Sequence, residues 1–308
     1  MLAGIVALSF MIVSGMLLYN RLTIGPGKSS LAGAAGLGLA LCFARYLLHR
    51  AATTMQLRLR DFCESLLVFM SISLLGVIAS YSAAVDTLGF SDALLARADQ
   101  ALHMNWVAWY EVVAASPLLQ KLGMVAYSTI YISPFLLLSA YAWQGRRAEA
   151  HRFLLTFWLA ALLTLLLFPL FPAKGPLAHL WHGPIPYMPT SGLYQEQLIP
   201  ALRARTLTEI DLHALRGLVC APSFHTVCGV IYMAFGWRMP RLRRVLIPMN
   251  IAMLLATPVE GTHYFIDMIL GAIVALSAII QVDYFMDFIM RRLGAPAETA
   301  AAISADIA

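Results

Sequence analysis

The chain has 308 residues, of which 60% are hydrophobic and only 12% charged, a balance that excludes an ordinary water-soluble domain. Its formal charge of +5 sits on lysines and arginines in short clusters between apolar runs, so no continuous basic stripe marks a nucleic-acid partner and the clusters read as a topological signal. The four cysteines, Cys42, Cys63, Cys220 and Cys228, contain no CxxC pair; neither a zinc framework nor a disulfide framework is supported, and buried inert thiols are expected.

Hydropathy predicts an all-α polytopic bundle of about eight membrane helices, near 3–20, 30–49, 62–85, 122–143, 153–171, 222–237, 244–259 and 263–286. The first, Leu2 to Tyr19, lacks a basic leader and a small-residue cleavage site and reads as a retained span. The segment 244–259 is short and carries Pro248, and the last helix is expected to begin at His263 with Asp267 inside its apolar run. Residues 1–60 read as N-terminal membrane helices, 61–290 as the main membrane domain and 291–308, Ala-rich after Gly294, as a disordered tail.

Basic residues cluster at Arg45, Arg50, Arg58 and Arg60, at Arg146, Arg147 and Arg152, at Arg238, Arg241, Arg243 and Arg244, and at Arg291 and Arg292. With eight spans all four clusters fall on one side, which the positive-inside rule makes cytoplasmic, with both termini. The other side carries the long loops 86–121 and 172–221. In the first, Leu94 to Val113 places Trp106, Trp109 and Tyr110 at helical spacing and predicts a helix lying at headgroup level. The second holds Arg203, Arg205 and Arg216.

Three motifs lie at helix ends on that side: Phe171-Pro-Ala-Lys-Gly-Pro176, Ala221-Pro-Ser-Phe-His-Thr226 and Glu260-Gly-Thr-His-Tyr-Phe-Ile-Asp267. His263 and Asp267 are four apart, so on a helix they share a face. The carboxylate can then hold the Nδ1 proton and leave Nε2 free for attack. Pro222 and Ser223 stand where a helix should start, with His225 in its first turn. Free amides there favour an anion, the Ser223 hydroxyl adds a donor, and His225 can protonate a leaving alkoxide. Lys174 is a cation between two prolines, and Arg216, nearest the second motif, is the best placed of the loop arginines for a phosphate clamp.

Pro-Ser-x-His at a helix start, followed about forty residues later by His-x3-Asp, resembles the type 2 phosphatidic acid phosphatase superfamily over roughly 90–285. Phe-Pro-x-x-x-Pro, Pro-Ser-Phe-His and His-Tyr-Phe-Ile-Asp are most similar to the branch of inositol phosphorylceramide synthases and their bacterial relatives. The resemblance implies that 61–290 is a catalytic domain acting without a metal or other cofactor. It makes His263 the nucleophile of a phosphohistidine, Asp267 its orienting partner, His225 the acid and Ser223 a phosphate ligand. The implied substrate is a phospholipid, an isoprenoid phosphate or a sphingolipid, met at the extracytoplasmic face of the inner (plasma) membrane. The chain departs from the phosphatase members in lacking Lys-x6-Arg-Pro. It also has Ala256 and Thr257 where a Ser-Arg pair precedes the nucleophile; Lys174 or Arg216 is the expected substitute. Two other readings stand beside this one. His225, His263 and Asp267 could bind a metal as a facial triad, or together with Glu260 they could form the polar network of a transporter or scaffold.

Overall fold

The computed structural model describes residues 2–25 and 30–292; of the tail expected over 291–308, Arg291 and Arg292 instead end the last helix, and the rest lies outside the described residues. The described chain is helical apart from one short parallel pair of strands, Thr23–Gly25 with Glu209–Asp211. The helices are α1 (Leu2–Asn20), α2 (Ser30–Leu47), α3 (Thr54–Val85), α4 (Asp92–Ala101), α5 (Trp106–Ala114), α6 (Pro117–Ser128), α7 (Ile132–Gln144) and α8 (Arg147–Leu167). After them come α9 (Pro176–Leu180), α10 (Tyr194–Arg203), α11 (Phe224–Trp237), α12 (Arg243–Glu260) and α13 (Phe265–Arg292).

Local chemistry sets many of the starts. Thr53 and Gln56 close a capping box at α3. Asn105 accepts from the Ala108 amide at α5, and Ser116 caps α6 ahead of Pro117, whose missing N–H costs nothing in a first turn. The single interfacial helix expected over 94–113 is therefore two, α4 and α5. The chain breaks between them because His103 turns left-handed at φ 57° and Asn105 starts a new helix.

Every predicted span is helical, but not every one qualifies as a crossing. Five segments are long and apolar enough: Leu2–Asn20, Thr54–Val85, Pro117–Gln144, which joins α6 and α7, Arg147–Leu170 and Phe265–Ile289. The expected count of about eight is not reached on that measure. At 14 residues, α11 rises only about 21 Å at about 1.5 Å per residue, short of a hydrocarbon core of about 30 Å. In α12, Arg243, Arg244 and Glu260 put charge at both ends, and Pro248 and Pro258 interrupt it. Large apolar side chains such as Leu18, Val125, Leu166 and Ile280 stay on the outside, the ordinary surface of a protein whose solvent there is lipid. This is a membrane protein by the length and apolarity of its helices.

Short α11 is enclosed by α8, α12 and α13, and α6 lies along α12. Phe153, Phe157, Tyr232 and Phe235 fill the centre of that bundle. One end is tied by charge. Arg152 and Arg238 both reach Asp283, at 2.6 and 3.4 Å, and Arg238 also reaches Glu149 at 3.3 Å. Arg147 pairs with Glu64 at 2.9 Å and with Asp61 at 3.4 Å. Three of the four basic clusters thus meet through shared carboxylates at one end of α3, α8, α11 and α13. The three motifs lie at the other end of the same helices.

Candidate active site

The second motif folds as its sequence suggests, with one change. Ser223 is the N-cap of α11, its hydroxyl oxygen accepting from the Thr226 amide, so Pro222 stands just before the helix and not in its first turn. His225 occupies the second helical position, and Ser223 is fully buried. A Cβ on Gly271 would come within 2.5 Å of the Ser223 carbonyl oxygen, so only glycine lets α13 approach the start of α11 this closely.

The third motif departs further from expectation. His263 is not on a helix: α13 begins at Phe265, and His263 lies in the turn before it while Asp267 sits in its first turn. The expected pairing forms all the same, because the Asp267 side chain reaches back past the helix start. Its oxygens lie 3.3 and 3.4 Å from His263 Nδ1, and one of them accepts from the Tyr264 amide at 3.0 Å. Both side chains are buried, Asp267 completely. The carboxylate fixes the imidazole and directs Nε2 away from itself.

The two histidines come together from the first turn of α11 and the turn before α13, their ring centroids 6.0 Å apart. Tyr127 of α6 completes the group: its ring stacks on His225 at 4.2 Å, and its hydroxyl lies 3.2 Å from His225 Nδ1. A bond at Nδ1 leaves Nε2 of His225 for the reacting group, the complement of what Asp267 does for His263.

The turn between α12 and α13 is held on all sides. A Cβ on Gly261 would lie 2.5 Å from His263 Cδ2 and 3.1 Å from the Tyr127 hydroxyl, so no side chain fits there. Thr262 follows at φ 49°, a left-handed conformation that a β-branched residue adopts only under constraint. The constraint comes from the loop after α9. Ser191 donates its amide to the Glu260 carbonyl at 2.9 Å and its hydroxyl to Thr262 at 3.3 Å. Buried Glu260 accepts from the Tyr187 hydroxyl at 2.7 Å and from the Thr190 hydroxyl and amide at 2.6 and 3.1 Å. Burial and this bond to Glu260 push the Tyr187 phenol up, so it remains a donor.

Two aspartates of α4, seven residues apart, grip the same turn from the other side. Asp99 accepts from the Phe265 and Ile266 amides at 3.0 and 2.7 Å, capping α13 from another helix beside the bond that Asp267 makes to the Tyr264 amide. Burial pushes the Asp99 carboxyl up, and the two amides oppose that. Asp92 accepts from the Lys174 and Gly175 amides and from the Tyr264 hydroxyl, all at 3.0 Å. It thereby ties the first motif to the third.

Ser223, His225, His263 and Asp267 thus meet as expected, while the expected cations are engaged elsewhere. The Lys174 ammonium pairs with Glu196 at 3.1 Å and lies over the Phe90 ring. The exposed Arg216 side chain lies over Tyr194. Thr257, where the resemblance calls for arginine, is buried and donates its hydroxyl back to the Met253 carbonyl. Tyr127, Glu260, Asp92 and Asp99 were not singled out as site residues by sequence motif, apart from Glu260 as a member of a polar network. All but Glu260 reach the site from positions distant in the chain. Among the described residues the donor cluster suited to a metal is Cys220, His263 and Asp267, not the triad containing His225.

The family model of the PAP2 superfamily matches residues 93–281, more than half of the chain and all of the region just described but for Phe90 and Asp92. No curated protein and no solved structure matches.

A Gly261→Ala variant should keep its helical circular dichroism and lose activity, because the new methyl displaces the His263 ring or the Tyr127 hydroxyl. On the scale of a catalytic group misplaced by about 1 Å, the drop in kcat is about 100-fold. Wild-type turnover in a folded Gly261→Ala protein would show that this packing does not matter.

Proposed function

This chain belongs to the PAP2 superfamily, and from that premise we propose that it is a metal-independent lipid phosphatase or phosphotransferase working through a phosphohistidine on His263. One observation carries the reading. Two imidazoles from different elements face each other, each with its Nδ1 side occupied, by Asp267 and by Tyr127.

In the first displacement His263 Nε2 attacks phosphorus, the P–N bond forms and the P–O bond to the lipid breaks. Protonated His225 gives its proton to the departing oxygen. In the second, His225 takes a proton from the incoming water or alcohol, whose oxygen attacks phosphorus as the P–N bond breaks. The first-turn amides of Phe224 and His225 have no intrahelical partner, and with the Ser223 hydroxyl they favour the phosphoryl oxygens. The motifs favour the inositol phosphorylceramide synthase type of branch, hence an alcohol acceptor and headgroup transfer between lipids. The substrate class is a phospholipid, isoprenoid phosphate or sphingolipid whose chains lie against the apolar helix faces. Each polar member considered for a transport network is instead tied to a fixed local partner, which favours chemistry at one end of the bundle over passage through it.

His263→Ala should abolish the labelled protein intermediate trapped by an acid-free quench. His225→Ala should slow its formation more for an alkyl lipid phosphate than for p-nitrophenyl phosphate, whose leaving group needs no proton. A His263→Ala protein turning over at the wild-type rate ends the scheme.

Lys174 and Arg216 are our candidates for the missing cationic clamp, each released from its present partner when an anion arrives. Neutralising both should cost on the order of 100-fold in turnover, by comparison with other oxyanion donors. Unchanged turnover in Lys174→Met with Arg216→Met removes both from the mechanism.

We place the site at the extracytoplasmic face of the inner (plasma) membrane, with eight spans and both termini inside. The support is that the arginine clusters meet at the far end of the helices that carry the site. A single cysteine introduced beside Trp181 should react with an impermeant thiol reagent on intact cells, once native thiols are removed. Labelling only after permeabilisation reverses the orientation.

A further inference from the structure

Cys220 lies just before the second motif, fully buried, and is given no role by the reaction above. Its Sγ is 3.7 Å from Asp267 and 3.8 Å from the Thr262 carbonyl oxygen. With His263 and Asp267 it forms a group whose donor atoms all lie within 4.8 Å of one another. One oxygen of Asp267, Oδ1, is buried without a hydrogen-bond partner, although Nδ1 is 3.3 Å away. It therefore keeps lone pairs directed into this cluster.

We propose that Cys220, His263 and Asp267 form a binding site for a soft divalent cation, Zn2+ or its analogue Co2+, and that occupancy switches the enzyme off. The geometry supports the ion. Zinc takes nitrogen and oxygen ligands at about 2.0–2.1 Å and thiolate sulfur at about 2.3 Å. Around a tetrahedral centre those lengths require edges of about 3.4 Å for N to O and about 3.6 Å for S to O. The structure already holds these pairs at 3.4 and 3.7 Å on a single oxygen, Asp267 Oδ2. Only the sulfur-to-nitrogen edge has to close. A thiolate, an imidazole and a carboxylate form a borderline-soft set, which suits zinc or cobalt and not the all-oxygen preference of magnesium or calcium.

The inhibition rests on the phosphohistidine reading and follows from the atom that binds. The Cys220 S–H loses its proton to bulk solvent as the sulfur–metal bond forms. His263 ligates through Nδ1, which places its remaining proton on Nε2. That is the nitrogen whose lone pair must attack phosphorus. The same ion takes Asp267 away from the imidazole. One bound cation thus removes both the nucleophile and its orienting carboxylate.

The test uses purified full-length protein. Co2+ titrated into the wild type should give one equivalent of thiolate-to-cobalt charge-transfer absorption, abolished in Cys220→Ser and bleached by Zn2+. Zn2+ should inhibit phosphate release from a lipid phosphate reversibly, with chelator restoring it. The half-inhibitory concentration should rise at least about tenfold in Cys220→Ser. Zinc-edge X-ray absorption of the wild type, which needs no variant, should read one sulfur among nitrogen and oxygen ligands. A shell without sulfur, absorption retained in Cys220→Ser, equal inhibition of both proteins, or activation by Zn2+ would each overturn the proposal. The absorption measurements do not depend on catalysis. A sulfur-containing site in an enzyme that turns over normally without His263 would refute the reaction and its inhibition while leaving the cation site in place.

Discussion

The reversal from α12 into α13 squeezes Gly261 between the Tyr127 hydroxyl and the His263 ring, turns Thr262 left-handed, and delivers His263 two residues before the first of the amides that Asp99 caps. A backbone in that conformation is not held by its own sequence; it persists because its surroundings leave it no alternative. Two clamps supply them: Glu260 with Tyr187, Thr190 and Ser191 on one side, and the α4 aspartates on the other. The position of His263 is thus fixed from α4, from α6 and from the loop that holds Tyr187, Thr190 and Ser191.

That dependence explains the two short helices between α3 and α6. A helix such as α4, with buried aspartates at 92 and 99, is expensive to pack unless those carboxylates find donors. Their donors are backbone amides of the Lys174–Gly175 turn and of the first turn of α13. Carboxylates at a helix N-terminus also oppose the positive end of its dipole, so Asp99 and Asp267 together neutralise the place where His263 stands. The same field would otherwise disfavour a positive charge on that imidazole.

What the sequence made readable was local. Ser223 and His225 are read from a capping pattern, and His263 and Asp267 from their spacing. Each needs only a few neighbouring residues to be placed. The sequence sets the start of α13 two residues early, at His263, because the signal that ends the turn is Asp99, more than 160 residues earlier in the chain. Tyr127 was invisible for the same reason: one tyrosine in an apolar run carries no mark of its contact with His225, 98 positions away. The break between α4 and α5 was hidden by a periodicity that runs on through 102–105, while the capping Asn105 was there to be read. The span count turns on a different property. Hydropathy weighs composition, but α11 is limited by length, and the short helix gains its place by being enclosed in protein and not by matching lipid.

Charge divides the molecule more sharply than hydropathy does. At one end arginines share carboxylates across four helices, a rigid arrangement in which each ion has a partner. At the other, acidic groups outnumber nearby cations: Asp92, Asp99, Glu260 and Asp267 are all buried, whereas Lys174 is paired and Arg216 exposed. On the proposed reaction, an incoming phosphate would meet amides and hydroxyls at the start of α11, not a waiting guanidinium. Thr257, too short to extend into the site and bonded back to its own helix, leaves that position without a charge. On that reading the enzyme would lean on helix-end amides to attract its anion and recruit its cations on binding. The cost of organising the clamp would then fall in the substrate-binding step, with the two histidines already aligned before it.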